Sequence, residues 1–362
     1  IGDPSVFVSL QANTPSPGNA ENYARIVEEH ALLRRLVSVA GEITELGYSM
    51  PTDVDDVLDR AETMVFEVGE RRASDSVTAL RDLLGESLDH LERLYEHQET
   101  VTGLATGYVD LDEQLSGLQP SNLIVVGARP SMGKTSFALG LVAHAGVRLG
   151  QPVLLFSLEM SHLELTQRML SAEARVDATR LRTGRLREAD WPKIGNAISR
   201  MSEAPIFIDD NPNLTVMDIR ARARRIKSRH GLALVVVDYL QLMTGRSRVE
   251  NRQVEVSEIS RGLKILAREL QVPVVALSQL SRALEARQDK RPMLADLRES
   301  GSIEQDSDVV LFIYRDEMYN SESPETVGTA EVIVAKHRNG PTGHVRLAFI
   351  GHHARFDNMA RV

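Results

Sequence analysis

The run Gly127-Ala128-Arg129-Pro130-Ser131-Met132-Gly133-Lys134-Thr135 ends in the Gly-Lys-Thr of a phosphate-binding loop. It follows the apolar stretch Leu123–Gly127 and leads into a helix carrying Phe137, Leu139, Leu141 and Val142. Backbone N–H groups at such a helix start cradle phosphates. Ser131, Met132 and Gly133 line the cradle. Lys134 reaches the β- and γ-phosphates, and the Thr135 hydroxyl ligates Mg²⁺. The strict pattern opens on glycine. Here Ala128 takes that position, with Gly127 just before it. A bare Gly-rich turn is the alternative, and the strand–loop–helix setting argues against it.

A phosphate loop needs a carboxylate on the metal side. Leu232–Val237 is an apolar strand that ends in Asp238, at the carboxyl edge where nucleotides bind. Hydrolysis also needs a group to orient and activate water. Ser161-His162-Leu163-Glu164 reads as a capping box, so Glu159 falls in the loop between the strand ending near Ser157 and the next helix. Glu159 is the general-base candidate; a solvated loop acid is the alternative. Another strand, Pro273–Ser278, ends at Gln279, whose amide can hydrogen-bond a γ-phosphate or water.

These residues need an α/β scaffold. Candidate strands are Leu123–Gly127, Val153–Ser157, Pro205–Ile208, Leu232–Asp238, Val272–Ser278, Val309–Tyr314, Ala330–Ala335 and His344–Ile350. Amphipathic helices separate most of the earlier ones, which predicts a mainly parallel sheet flanked by helices. The last three lack intervening helices and are expected as antiparallel additions. Upstream, a helix over about Ala20–Leu46 and another over about Thr52–Glu70 predict a hairpin. Residues 71–78 read as a linker. A helix follows with Val77, Leu80, Leu84, Leu88, Leu91 and Tyr95 as its stripe. That stripe suits packing on its own domain or on another subunit, and its place between two separate units favours the second. The expected domains are a partial N-terminal helical domain at 1–70, a linker helix at 71–100 and the ATPase region at 101–362.

Composition narrows the classes. The 362 residues contain no cysteine, which excludes disulfides, thiol nucleophiles and cysteine-ligated metals and fits a reducing compartment. Net charge is −9, so nucleic-acid binding would need a local basic surface. No apolar run approaches a membrane span. The start, Ile-Gly-Asp-Pro, has neither a start methionine nor a signal-peptide pattern, so a fragment or a mid-protein start is expected.

Six stretches together resemble the DnaB family of bacterial and phage replicative helicases. They are the phosphate loop at 127–135, Ser-Leu-Glu-Met-Ser at 157–161, Val-Val-Asp-Tyr-Leu-Gln-Leu-Met at 236–243, Ala-Leu-Ser-Gln-Leu-Ser-Arg at 276–282, the segment 296–306 and Ala-Lys-His-Arg-Asn-Gly-Pro at 335–341. Order and spacing match from about residue 101 to the end. The resemblance implies a RecA-like core in a homohexamer, with ATP and Mg²⁺ held between subunits. Lys134, Thr135, Asp238, Glu159 and Gln279 would come from one subunit, Lys336 and Arg338 from its neighbour. Arg298, Glu299 and Gly301 match the family's loop that grips single-stranded DNA. It further implies 5′–3′ translocation, unwinding at the replication fork, primase and a helicase loader as partners in a primosome, and a cytoplasmic, bacterial or phage setting. The rival readings are a RecA-like filament-forming recombinase and a catalytically silent ring scaffold.

Two polar segments suit DNA. Ser281–Arg298 carries Arg282, Arg287, Lys290, Arg291 and Arg298, and Thr244–Arg252 carries Arg246, Arg248 and Arg252. Few aromatics accompany them, which favours gripping the backbone over stacking on bases. Other features read as structural. The basic run Arg220–Arg229 suits a solvated helix face, Asp209-Asp210 a turn before Pro212, and His352-His353 lacks ligands at zinc spacing.

Overall fold

The computed structural model describes residues 20–49, 57, 60, 61, 64, 65, 68, 79–97, 101–243, 252–297, 301–320 and 326–360. The chain divides into two compact units, Ile1–Arg93 and Leu94–Val362.

In the first unit, α1 spans Ala20–Tyr48. The described residues between 57 and 68 are also helical, and Val39 and Val68 are buried. The expected linker at 71–78 lies outside the described residues. Helix α2 covers Leu80–His97 and runs across the division between the two units after Arg93. Of its stripe, Leu80, Leu84, Leu88 and Tyr95 are exposed.

The second unit holds the sheet. Its elements are α3 (Val109–Leu115), β1 (Leu123–Ala128), α4 (Lys134–Ala143), β2 (Val153–Ser157), α5 (His162–Ala174), α6 (Ala178–Thr183), α7 (Asp190–Ser202), β3 (Ile206–Asp209), α8 (Val216–His230) and β4 (Leu234–Asp238). They continue with α9 (Arg252–Leu270), β5 (Val274–Gln279), α10 (Gly301–Asp306), β6 (Val309–Tyr314), β7 (Thr329–His337), β8 (Gly343–Ile350) and β9 (Arg355–Asn358).

The nine strands order as β3-β2-β4-β5-β1-β6-β7-β8-β9. Successive side chains of a strand point to opposite faces. Ile124, Val126, Leu234 and Val236 therefore join one apolar cluster, with Phe137 and Leu141 of α4. Val125, Val235 and Val237 join the other, with Ile219 of α8 and Ile259 and Leu263 of α9. Burial on both faces is why these strands are continuously apolar rather than alternating.

One expectation needs correction, and one strand was not foreseen. β6 is not an antiparallel addition: it runs parallel to β1, with Val125 opposite Val310. The connection over 280–308 includes short 3₁₀ turns and α10. It is long enough to return the chain to the amino edge, as a parallel crossover requires. Antiparallel pairing begins only with β7 on β6, and continues through β8 to an unforeseen β9. β9 is a four-residue strand, Arg355–Asn358, without a strong apolar alternation to announce it.

Candidate active site

Register lines up the strand ends. Ala128 pairs with Gln279, and Ser157 pairs with Asp238. The loops that leave β1, β2, β4 and β5 therefore gather on one edge, the crevice where open α/β sheets bind ligands.

The phosphate loop turns through left-handed backbone at Ser131 (φ 67°) and Gly133 (φ 99°). A Cβ at Gly133 would lie 2.8 Å from Cζ of Phe356. Ala128 needs no such freedom. It is still a β1 residue, and its carbonyl accepts the Leu280 N–H at 3.2 Å. That accounts for alanine where stricter loops carry glycine. Arg129 is buried; it donates to Glu285 Oε1 at 2.9 and 2.6 Å and to the Leu280 carbonyl at 2.8 Å. Arg315 donates to the Ser131 carbonyl at 3.0 Å. The loop is thus braced from two sides.

α4 starts at Lys134, with Gly133 as its N-cap, so the helix N-terminus faces the loop. Thr135 Oγ1 donates to Asp238 Oδ2 at 2.8 Å. Lys134 Nζ lies 3.4 Å from Asp238 Oδ1 and 4.2 Å from the centroid of the Tyr239 ring. Burial pushes the Lys134 ammonium below its ordinary pKa, and the Asp238 and Glu159 carboxylates pull against that shift. Burial pushes the Tyr239 hydroxyl up, reinforced by Glu159 and Asp238. Asp238 is only 2% exposed, yet its Oδ1 has no hydrogen-bond partner.

A cleft of about 530 Å³ opens over this cluster, within the usual range for a ligand pocket. Ser131, Gly133, Lys134, Thr135, Glu159 and Gln279 all line it. Glu159 is held by the loop it sits in: Ser157 Oγ donates to the Met160 carbonyl at 2.7 Å and accepts the Met160 N–H at 3.2 Å. The predicted capping box forms at Ser161 and Glu164 and starts α5 just beyond. Met132 is buried under the loop rather than lining the cleft.

Sequence reasoning missed Tyr239, Arg168 and Phe349, which also line the cleft. Tyr239 follows Asp238 and could have been noticed from that position. Phe349 arrives from distant β8, with Arg315 stacked 3.9 Å over its ring, and no local pattern signals it.

Lys336 and Arg338 lie elsewhere. Lys336 Nζ donates to the carbonyls of Glu304 and, at 2.8 Å, Ser307. Arg338 donates to the Gln305 carbonyl and lies 3.7 Å from Asp308 Oδ1. Burial, then Arg338, lowers the Lys336 pKa. The Arg338 N–H bonds the Asp308 carbonyl, whereas Ala128 is level with Ile313. At about 3.3 Å per residue those levels differ by roughly 16 Å along the sheet. The pair therefore sits at the opposite edge from its own chain's cleft.

Arg298 and Glu299, like Arg246 and Arg248, lie outside the described residues. Gly301 is the first residue of α10. Arg252 reaches back to the carbonyls of Gln241 (2.6 Å) and Met243 (3.2 Å). The basic face of α8 is more than solvated: Arg220 and Arg224 meet Glu269, and Arg222 meets Asp209. Asp210 does more than turn the chain, since it accepts the His162 N–H at 2.8 Å beside the start of α5. The His352 and His353 rings meet edge to face, with centroids 4.1 Å apart.

The profile of the DnaB-like helicase C-terminal domain matches residues 103–358. The replicative DNA helicase DnaB of Geobacillus stearothermophilus is 49% identical over 362 residues, covering 100% of this chain and 80% of that one. The chain belongs to the DnaB family of replicative DNA helicases. DnaB of Haemophilus influenzae is likewise 49% identical, over 99% of this chain and 78% of that one. A solved DnaB-like replicative helicase, described with its interactions with primase, superposes with a TM-score of 0.77 at 35% identity. It covers 98% of this chain and 83% of that one. An ATPase domain matches with a TM-score of 0.75 at 39% identity, over 79% of this chain and all of that one. Membership in the DnaB family makes this an ATP-dependent DNA helicase with a RecA-like core. It does not favour the recombinase or scaffold readings. Among the described residues, no helix is long and apolar enough to cross a membrane.

Proposed function

We propose that this chain is the motor subunit of a homohexameric ring that hydrolyses ATP with Mg²⁺ and moves 5′ to 3′ along single-stranded DNA. The observation that carries the reading is the convergence of Lys134, Thr135, Asp238, Glu159 and Gln279 on one cleft. Residues 101–362 form the motor, 71–100 the linker helix and 1–70 part of a helical collar. The collar would meet primase, and a loader would place the ring on DNA in the cytoplasm.

The loop N–H groups of Ser131, Met132 and Gly133 bind the phosphates, and Lys134 spans the β- and γ-phosphates. Asp238 Oδ1, which has no hydrogen bond, and the Thr135 hydroxyl on the same carboxylate fit a hard cation, which takes one or two protein oxygens and keeps water and phosphate as its other ligands. Mg²⁺ there would supply neutralisation of charge on the bridging phosphate oxygens. Glu159 holds the attacking water and accepts its proton. Gln279 hydrogen-bonds the γ-phosphate or that water.

Lys336, level with Val310, and Arg338, beside Asp308, lie roughly 10 and 16 Å from their own chain's cleft edge by strand rise and suit a neighbour's cleft. Cations supplied in trans stabilise transition-state charge and tie turnover to the subunit interface. Arg298, Glu299 and Gly301 hold the DNA backbone in the channel. Both DNA segments leave the sheet at the nucleotide edge, after β4 and β5. Unwinding of a forked duplex with a 5′ tail, lost in Lys134→Ala, is the expected result. Unwinding that needs only a 3′ tail would contradict the polarity.

A further inference from the structure

Gln279 ends β5 at the mouth of the cleft, with its side chain exposed and its strand register fixed by Ala128. Its backbone is also held from the other side. Gln241 lies in the short 3₁₀ turn Leu240–Leu242 that follows Asp238 and Tyr239. Its Nε2 donates to Ser278 Oγ at 2.9 Å and to the Gln279 carbonyl at 3.3 Å. Its Oε1 accepts the Gln279 N–H at 3.2 Å. One amide thus closes a two-way lock on both backbone groups of Gln279. Ser278 is 1% exposed, so its hydroxyl is a fixed anchor for that lock.

Gln241 is itself pinned. Its carbonyl accepts Arg252 Nη2 at 2.6 Å, and the same nitrogen reaches the Met243 carbonyl at 3.2 Å. Arg252 opens α9 and pairs with Glu255 one turn on. Gln241, Met243 and Arg252 are the two stems of the polar segment that leaves the sheet after β4. The hydrogen bonds therefore run without a break from those stems, through the Gln241 side chain, to the backbone of a residue that faces the nucleotide.

We propose that Gln241 is a positioning residue that joins the stems of the post-β4 segment to Gln279, so that DNA held in the channel changes the rate of ATP turnover. This rests on the function proposed above and adds the element that transmits the signal. A side-chain amide can do this because it donates and accepts at once. It carries no charge of its own to perturb Lys134 or Glu159. A DNA-driven shift of about 1 Å in Gln279, passed on through this amide, would change the rate by as much as 10²-fold.

The test uses the full chain, assembled, with poly(dT) as the single strand. Steady-state ATP hydrolysis is measured with and without DNA for the wild type, Gln241→Ala and Gln241→Met. Methionine keeps the length and volume but cannot make the bonds, so it separates packing from hydrogen bonding. The expected result is an ATP KM and DNA-free kcat within about twofold of wild type in both variants, with DNA stimulation reduced about tenfold. Wild-type stimulation in Gln241→Met would overturn the proposal, because packing would then suffice. So would loss of DNA-free turnover in the folded Met variant, because Gln241 would then serve the chemical step itself. A wild-type protein that hydrolyses ATP but ignores DNA would overturn the parent function and this coupling with it. Stimulated wild type beside an equally stimulated Gln241→Met sinks the coupling alone.

Discussion

Thr135 Oγ1 and Asp238 Oδ2 are 2.8 Å apart, which joins the first turn of α4 to the end of β4. The two residues are separated by most of the nucleotide-binding region in sequence. Parallel pairing of β4 with β5, and of β5 with β1, brings them together at one edge. The other Asp238 oxygen is buried without a hydrogen bond, 3.4 Å from the Lys134 ammonium. Lys134 offsets part of the cost of burying that charge, and a bound metal ion would complete the oxygen's partners.

Glu159 should be separable from nucleotide binding. It lines the cleft and acts on the Lys134 charge through space, outside the contacts that join Lys134 and Thr135 to Asp238. Glu159→Gln is expected to keep the affinity for a fluorescent ATP analogue within a few fold. Its kcat should drop by about 10²–10⁴, the usual contribution of a general base. Loss of binding in parallel with turnover would assign Glu159 to holding the nucleotide instead.

Arg338 should act on a neighbour. Arg338→Ala is expected to bind ATP and to lose about 10³ in turnover. Mixing it with Lys134→Ala subunits provides the sharper check. Some interfaces in mixed rings would join an intact phosphate loop to an intact Arg338, so the mixture should regain turnover that neither variant has alone. A mixture as inert as its parts would contradict delivery in trans.

Gly133 should tolerate no side chain. Its φ of 99° disfavours every other residue, and a Cβ would meet Phe356 at 2.8 Å. Gly133→Ala should cost about 1–3 kcal/mol in chemical denaturation and abolish ATP binding. Undiminished affinity would mean that the loop can bind phosphate in another conformation.

Much of the site was readable because its residues are tied to local patterns. The Gly-Lys-Thr triplet, the apolar run into Asp238 and the Ser161–Glu164 box each announce a strand end or a helix start. Glu159 followed by subtraction, as the acid left between two such signals. What escaped was carried by distant pairing. Phe349 reaches the cleft only because β8 folds back along β7, and β6 turned out parallel because a long connection, not a helix pattern, returns the chain. The same applies to the basic run on α8. Its spacing is that of an exposed face, while its partner Glu269 lies on α9 and belongs to no local pattern.

The central claim is that the cleft drives movement on DNA. ATP hydrolysis by the assembled protein, with and without single-stranded DNA and beside Lys134→Ala, tests it most directly. The account predicts turnover that rises with DNA and vanishes in the variant. Turnover indifferent to DNA, or surviving the loss of Lys134, would contradict it.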